Sequence, residues 1–129
     1  VHSRLLQLQQ AGILLCGHNI RRFDASFLIQ RWADLAGLLV VDTLELSVLA
    51  FPLHPSHKLQ KHYKPSDYAS NNPLEDARAT RCLLQHILET LNLQPESLQI
   101  VYRWLLTGGQ EVSDRAYQQL FSQVNLQNP

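Results

Sequence analysis

Leu5, Leu6 and Leu8 stand among polar residues over 1–10, the pattern of a helix with one buried face. Ala11-Gly12 ends it. Ile13-Leu14-Leu15-Cys16 is continuously apolar and reads as a buried strand. Apolar and polar positions then alternate with helical spacing from Ala25 to Ala33, ending around Leu35-Ala36-Gly37. Leu38-Leu39-Val40-Val41 is a second apolar run, β-branched at its end, and reads as a second buried strand. Asp42-Thr43 closes that run and can cap a helix from Leu44 to Ala50. Strand, helix, strand in this order implies a right-handed parallel crossover. Phe51 to Ser56 holds two prolines and reads as a loop, as does the polar stretch Pro65 to Asn72. Pro73 suits the first turn of a helix. That helix runs from Leu74 to about Leu91, with Leu74, Ala77, Leu84, Ile87, Leu88 and Leu91 at helical spacing. Two further helical segments, about 96–106 and 113–124, flank Thr107-Gly108-Gly109. They carry aromatics but no chemical motif. They read as a helical tail, 92–129, that packs on a domain formed by 1–91 or links it to a neighbour.

Composition narrows the function classes. The 129 residues fit one domain, and a 45% hydrophobic content is enough for a core. Formal net charge is zero, so no global field draws the chain to nucleic acid or anionic lipid. A polyanion contact must come from a local patch. Cys16 and Cys82 lie in apolar surroundings and read as buried free thiols of a cytoplasmic protein, not as a disulfide or metal site. No apolar run approaches the roughly 18 residues of a membrane helix. The opening Val1-His2-Ser3-Arg4 reads as the start of an amphipathic pattern, so no signal peptide is expected there. Without an initial Met, the chain is expected to be a piece of a longer protein.

Chemistry concentrates in three places. Gly17-His18-Asn19-Ile20-Arg21-Arg22-Phe23-Asp24 joins the first strand to the following helix, which sets Asp24 at the mouth of the sheet, where open α/β folds put their ligands. Asp24 also suits the N-cap of that helix. His57-Lys58-Leu59-Gln60-Lys61-His62-Tyr63-Lys64 holds every lysine of the chain. Lys58, Lys61 and Lys64 recur every three residues, so a short helix would gather them on one side to meet phosphates. The same stretch is equally a solvated amphipathic helix with Leu59 and Tyr63 inward. Asp76 lies in the first turn of the long helix, where the helix dipole favours an acid whatever its function. Carboxylates brought together from separate elements can hold Mg²⁺ or Mn²⁺. Two such ions about 4 Å apart clamp an in-line attack on a phosphodiester.

Taken together, these residues resemble a family. Gly17 to Asp24 resembles the second motif of the DEDD 3′–5′ exonucleases, in which an Asn is followed by Phe-Asp. Asp42-Thr43-Leu44 is similar to the Asp-Thr-Leu after their next strand. His57-Lys58-Leu59 with His62-Tyr63 is similar to their Lys/Ser-Leu segment before a short basic helix. Asn72-Pro73-Leu74-Glu75-Asp76-Ala77-Arg78-Ala79-Thr80 resembles their third motif, with Asp-Ala and a Thr four residues after the Asp. The resemblance covers roughly 1–91, and the wording between Asp42 and Asp76 is most like exonuclease domains attached to bacterial RecQ-like DNA helicases.

The resemblance implies a ribonuclease-H-like α/β fold lacking its first strands. It implies hydrolysis of nucleic acid, single-stranded DNA in particular, from the 3′ end with two Mg²⁺ or Mn²⁺ ions, in the cytoplasm at the nucleoid, beside a fused or associated helicase. Asp24 and Asp76 would be metal ligands. Asn19 would shape the site, Phe23 would pack near the terminal nucleotide, and Lys58, Lys61 and Lys64 would meet phosphates. Two departures bear on activity. The family's opening Asp-x-Glu occurs nowhere in this chain. Its general base, a His five or a Tyr four residues before the last Asp, is replaced by Asn71 and Asn72. An amide can orient a water but cannot take its proton. Asn71 thus marks an altered or lapsed base, with His62, His57 or Tyr68 as substitutes. This chain alone is expected to be inactive. The alternatives are a nucleic-acid-binding module that has lost catalysis, or a protein-interaction domain whose acids are helix caps.

Overall fold

The computed structural model of the chain describes residues 1–59, 72–108 and 112–123. They form a mixed α/β unit, mostly helical, around a small two-stranded parallel sheet. Helix α1 (His2–Gln10) ends at Gly12, whose φ of 67° is left-handed. The Gly12 N–H donates to the Gln9 carbonyl and the Ile13 N–H to the Leu8 carbonyl, the paired bonds of a Schellman cap. Glycine takes that backbone conformation without strain. Strand β1 (Leu15–Gly17) follows, then helix α2 (Asp24–Arg31), a 3₁₀ turn at Ala33–Gly37 and strand β2 (Val40–Asp42). The strands run parallel, with Leu15 beside Val40, Cys16 beside Val41 and Gly17 beside Asp42. Helix α3 (Thr43–Ala50) begins directly after β2, and α4 (Pro73–Asn92), α5 (Glu96–Thr107) and α6 (Val112–Gln123) complete the order.

Both strands form later than the apolar runs suggest. The runs 13–16 and 38–41 serve partly as approaches, and the first interstrand contact is the Leu15 N–H to the Leu39 carbonyl at 2.9 Å. Strand β2 is buried throughout, as expected. Strand β1 is not: Ile13 and Cys16 are exposed, and Leu15 and Gly17 are half-buried. Each strand has one strand neighbour among the described residues, but β2 carries a buried cluster on each face through Val40 and Val41, whereas beside β1 only Leu14 and Leu15 pack against those clusters, partly buried. The two cysteines are free, but both are exposed rather than buried. Cys16 alternates away from its strand neighbours, and Cys82 of α4 opens on a surface concavity shared with Ser47 and Phe51.

Two apolar clusters flank β2. Val41 joins Leu46 and Ala50 of α3, Ile87 and Leu91 of α4, and Ala116, Tyr117, Leu120 and Phe121 of α6. Val40, pointing the other way, joins Ala25, Leu35 and Leu38, with Leu5, Leu6 and Trp32 packed against them. The C-terminal helices share this core: α6 supplies four residues of the larger cluster, and Tyr102 and Leu106 of α5 pack against it. Helix α1 packs through Leu5 and Leu6 but buries none of its residues completely. It is tied down by polar contacts. The His2 ring stacks on Trp32 at 4.8 Å and meets Asp34 at 2.9 Å, and the Gln9 amide donates to the Asp34 carbonyl at 2.8 Å. Among the described residues, no helix is long and apolar enough to cross a membrane.

A candidate functional site at the carboxyl ends of the strands

The turn after β1 is held by one buried carboxylate. Asp42 is 1% exposed. Its Oδ1 accepts the Asn19 N–H at 2.8 Å and the Leu44 N–H at 2.9 Å, and its Oδ2 accepts the Arg21 N–H at 3.1 Å. The capping of α3 was legible in the sequence; the two bonds back to the turn were not. They hold Asn19 in the left-handed region, at φ 60°, which asparagine tolerates better than most residues. Tight closure also needs Gly17, because a Cβ there would lie 2.7 Å from the Ile20 Cβ. Thr43 Oγ1 donates to the Gly17 carbonyl at 3.3 Å and lies 2.9 Å from His18 Nδ1.

A residue of the C-terminal tail completes this arrangement. The Asp42 N–H donates to the Tyr117 hydroxyl at 3.2 Å, and that hydroxyl donates to Glu45 Oε2 at 2.7 Å. Glu45 Oε1 in turn pairs with Arg21 Nη1 at 3.0 Å, and the Arg21 guanidinium lies 5.5 Å from the Tyr117 ring centroid. Burial, then the Glu45 carboxylate, push the Tyr117 phenol far above its ordinary pKa, so it acts as a permanent donor. Nothing local in the sequence points to Tyr117, because its partners are more than seventy residues away.

Beside this turn opens a cleft of about 700 Å³. Gly17, His18, Phe23 and Asp24 line one side, and Asp76, Thr80 and Arg81 of α4 line the other. The two acids singled out in the sequence thus face one concavity. Asp24 does not cap α2. The N-cap is Phe23, and the Asp24 side chain makes no capping bond. The first turn is served instead by carbonyls of the preceding turn: Ala25 N–H donates to Ile20 at 2.8 Å and Phe27 N–H to Phe23 at 3.1 Å. The Asp24 carboxylate is left exposed at the cleft mouth. Asp76 is half-buried in the first turn of α4. Asn72 caps that helix, accepting the Glu75 N–H at 3.2 Å, and the Thr80 hydroxyl donates to the Asp76 carbonyl at 2.8 Å. Phe23 is 58% exposed and makes an edge contact with Phe27 at 5.1 Å, so most of its ring remains available. Asn19 shapes the turn through its backbone.

Several features differ from the sequence expectation or fall outside the structure. Lys58 lines a neighbouring pocket rather than the cleft. Lys61, His62, Lys64, Tyr68 and Asn71 lie outside the described residues, as does most of the expected basic helix; residues 57–59 have no regular structure. His18 and Arg81 line the cleft although the sequence did not mark them. The only signal for Arg81 is helical: it stands four positions after Ala77, which also lines the cleft, on α4. Cys16 opens on the cleft, yet loss of surrounding water and then the Asp42 charge push its thiol up to about 11, so it is un-ionised at neutral pH.

The donor set is short of what the expected ions need. Among the described residues, no group of three or more His, Cys, Asp or Glu side chains could hold a metal ion. Two carboxylates and a backbone turn do not make a two-ion site by themselves, because hard divalent cations take six or more oxygen ligands. What the arrangement offers is two acids, an accessible aromatic ring and one arginine around an open concavity. Comparison of the chain with known protein families, with characterised proteins and with solved structures finds no match.

Proposed function

We propose that the cleft belongs to a metal-dependent 3′–5′ exonuclease domain of ribonuclease-H-like fold, within a DNA-processing protein that carries or partners a helicase. The observation that carries this reading is that Asp24 and Asp76, from the start of α2 and the first turn of α4, line one cleft at the carboxyl end of the parallel strands. The Phe23 ring beside them suits a terminal base, and Arg81 suits a phosphate. In this reading Asp24 and Asp76 are part of a site for Mg²⁺ or Mn²⁺ whose other oxygen ligands come from outside the described residues.

The test has two stages. Mn²⁺ is expected to raise the melting temperature of a protein extended upstream with an Asp-x-Glu strand, because a ligand that binds only the native state stabilises it. Asp24→Ala and Asp76→Ala should each remove that rise. The second stage is cleavage of 3′- and 5′-labelled single-stranded DNA by a protein extended upstream with an Asp-x-Glu strand. Stepwise loss from the 3′ end, absent in Asp24→Ala, is the expected result. Cleavage that survives both substitutions would remove their roles.

A second reading is a nucleic-acid-binding module without turnover, favoured by the absence of a three-ligand cluster among the described residues. It predicts salt-sensitive binding of single strands with no effect of Mn²⁺ on melting.

A further inference from the structure

A second concavity, of about 320 Å³, adjoins the cleft through Leu59, which touches both. Its size is at the lower end of the range for small-ligand sites. Three elements build it: α3 with Ser47, the segment after it with Phe51, His54, His57 and Lys58, and α4 with His86. The rings are held by one another. Those of His54 and His86 lie 4.9 and 5.0 Å from the Phe51 ring at interplanar angles of 9° and 24°, and His57 lies 6.4 Å from His54. Ring stacking orders the imidazoles without using their nitrogens. Among the described residues, the His54 and His86 side chains make no hydrogen bond or ion pair, and no carboxylate pairs with Lys58. His57 commits one nitrogen, Nδ1, which lies 2.9 Å from the Ser47 hydroxyl. Its Nε2 remains.

The chemistry of this set is one-sided. No Asp or Glu among the described residues lines the pocket. The lining holds imidazole N–H groups, a lysine ammonium and hydroxyls. A metal would require ring lone pairs to converge on a point, and no such group of three exists among the described residues. Donors without a competing acid are what an oxyanion needs. A phosphate offers several acceptor oxygens and more than one negative charge, which matches several N–H donors beside one cation.

We infer that this pocket binds a phosphate group, either inorganic phosphate or the phosphate of a small monoester. Lys58 supplies the charge. His57 donates through Nε2, oriented by Ser47 on its other nitrogen, and His54 and His86 donate from the stack on Phe51. The site is separate from the two acids of the cleft and needs no divalent ion, so it stands whether or not the exonuclease reading does.

The test is side-chain NMR of the histidines of the 129-residue chain, in EDTA and a phosphate-free buffer. Inorganic phosphate, dAMP and deoxyadenosine are titrated in parallel. Phosphate and dAMP are expected to shift the His54, His57 and His86 resonances saturably in the millimolar range or below. His2 and His18 should stay still, deoxyadenosine should have no effect, and Asp24→Asn should titrate like the wild type. Lys58→Ala should weaken both ligands about tenfold, equivalent to about 1.4 kcal/mol. Lys58 is exposed, so that variant should melt like the wild type. Equal affinities would identify inorganic phosphate as the ligand, and tighter dAMP a monoester; either supports the site. Absence of saturable shifts in the folded protein, equal shifts with deoxyadenosine, or undiminished affinity in both Lys58→Ala and His57→Ala would overturn it.

Discussion

Asp42, at the end of β2, and Asp24, at the start of α2, flank the turn that follows β1, and the fold uses them in opposite ways. Asp42 is buried and accepts three backbone N–H groups, so both its oxygens are committed. Asp24 is exposed at the cleft mouth and has no hydrogen bond or ion pair to the described residues. One carboxylate spends its hydrogen-bonding capacity on architecture, and the other leaves it to solvent or a ligand. Residue type and local sequence do not separate them, since each precedes a helix with cap-like spacing. Burial separates them, and burial is set by what packs above: Tyr117 and the larger apolar cluster cover the end of β2, while at the start of α2 Ala25 turns into the smaller cluster and Asp24 is left exposed.

The strongest way to break this contrast is to remove Asp42. Asp42→Ala leaves three backbone donors in a closed turn without their acceptor and is expected to cost on the order of 3 kcal/mol or more in urea unfolding. A loss below about 1 kcal/mol would mean that water replaces the carboxylate and that the turn is not held as described. Tyr117→Phe keeps the ring in the core but removes the hydroxyl between the Asp42 N–H and Glu45. It should cost about 1–2 kcal/mol, and an unchanged unfolding midpoint would detach α6 from the site. Asp24→Ala should change stability by no more than about 0.5 kcal/mol, as for exposed positions away from structural features. A large loss there would give Asp24 a structural role and weaken its assignment to a ligand.

The smallest effect sharpens the electrostatic side. The Cys16 pKa is raised to about 11, chiefly by loss of water and secondarily by Asp42. In a Cys82→Ala background, iodoacetamide should therefore react slowly at neutral pH and faster as pH rises toward about 11, because the thiolate is the reactive form. Replacing Asp42 by Asn removes the nearby negative charge, which lowers the pKa and speeds alkylation at a given pH. Faster alkylation in the unsubstituted protein would contradict that sign.

Much of the element order was legible from periodicity. The long helix α4 with Pro73 in its first turn, the Asp42 cap and the two C-terminal helices all appear near their expected positions. These depend on local rules that act within a turn or two of chain. Strand register, the exposure of Cys16 and the non-capping Asp24 were not legible. Each depends on how many neighbours the sheet has or on which carbonyls the preceding turn offers. The candidate site divides in the same way. Asp24 and Asp76 were marked by their positions at element starts, whereas Arg81, Tyr117 and the stack of His54, Phe51 and His86 came only with the packing of α4 and α6.

By itself, the amino-acid sequence determined where helices start and stop, that two short apolar runs form parallel strands, and that acids occupy the starts of α2 and α4. Those outcomes follow from side-chain periodicity, proline geometry and the orphan N–H groups of helix ends, all local. Only the tertiary structure decided which acid is buried. It also decided that two distant acids share a cleft, and that three histidines from a loop and a helix gather with no carboxylate among them in the described residues. Burial and convergence depend on contacts between residues far apart in the chain, and those contacts exist only once the helices have packed on β2.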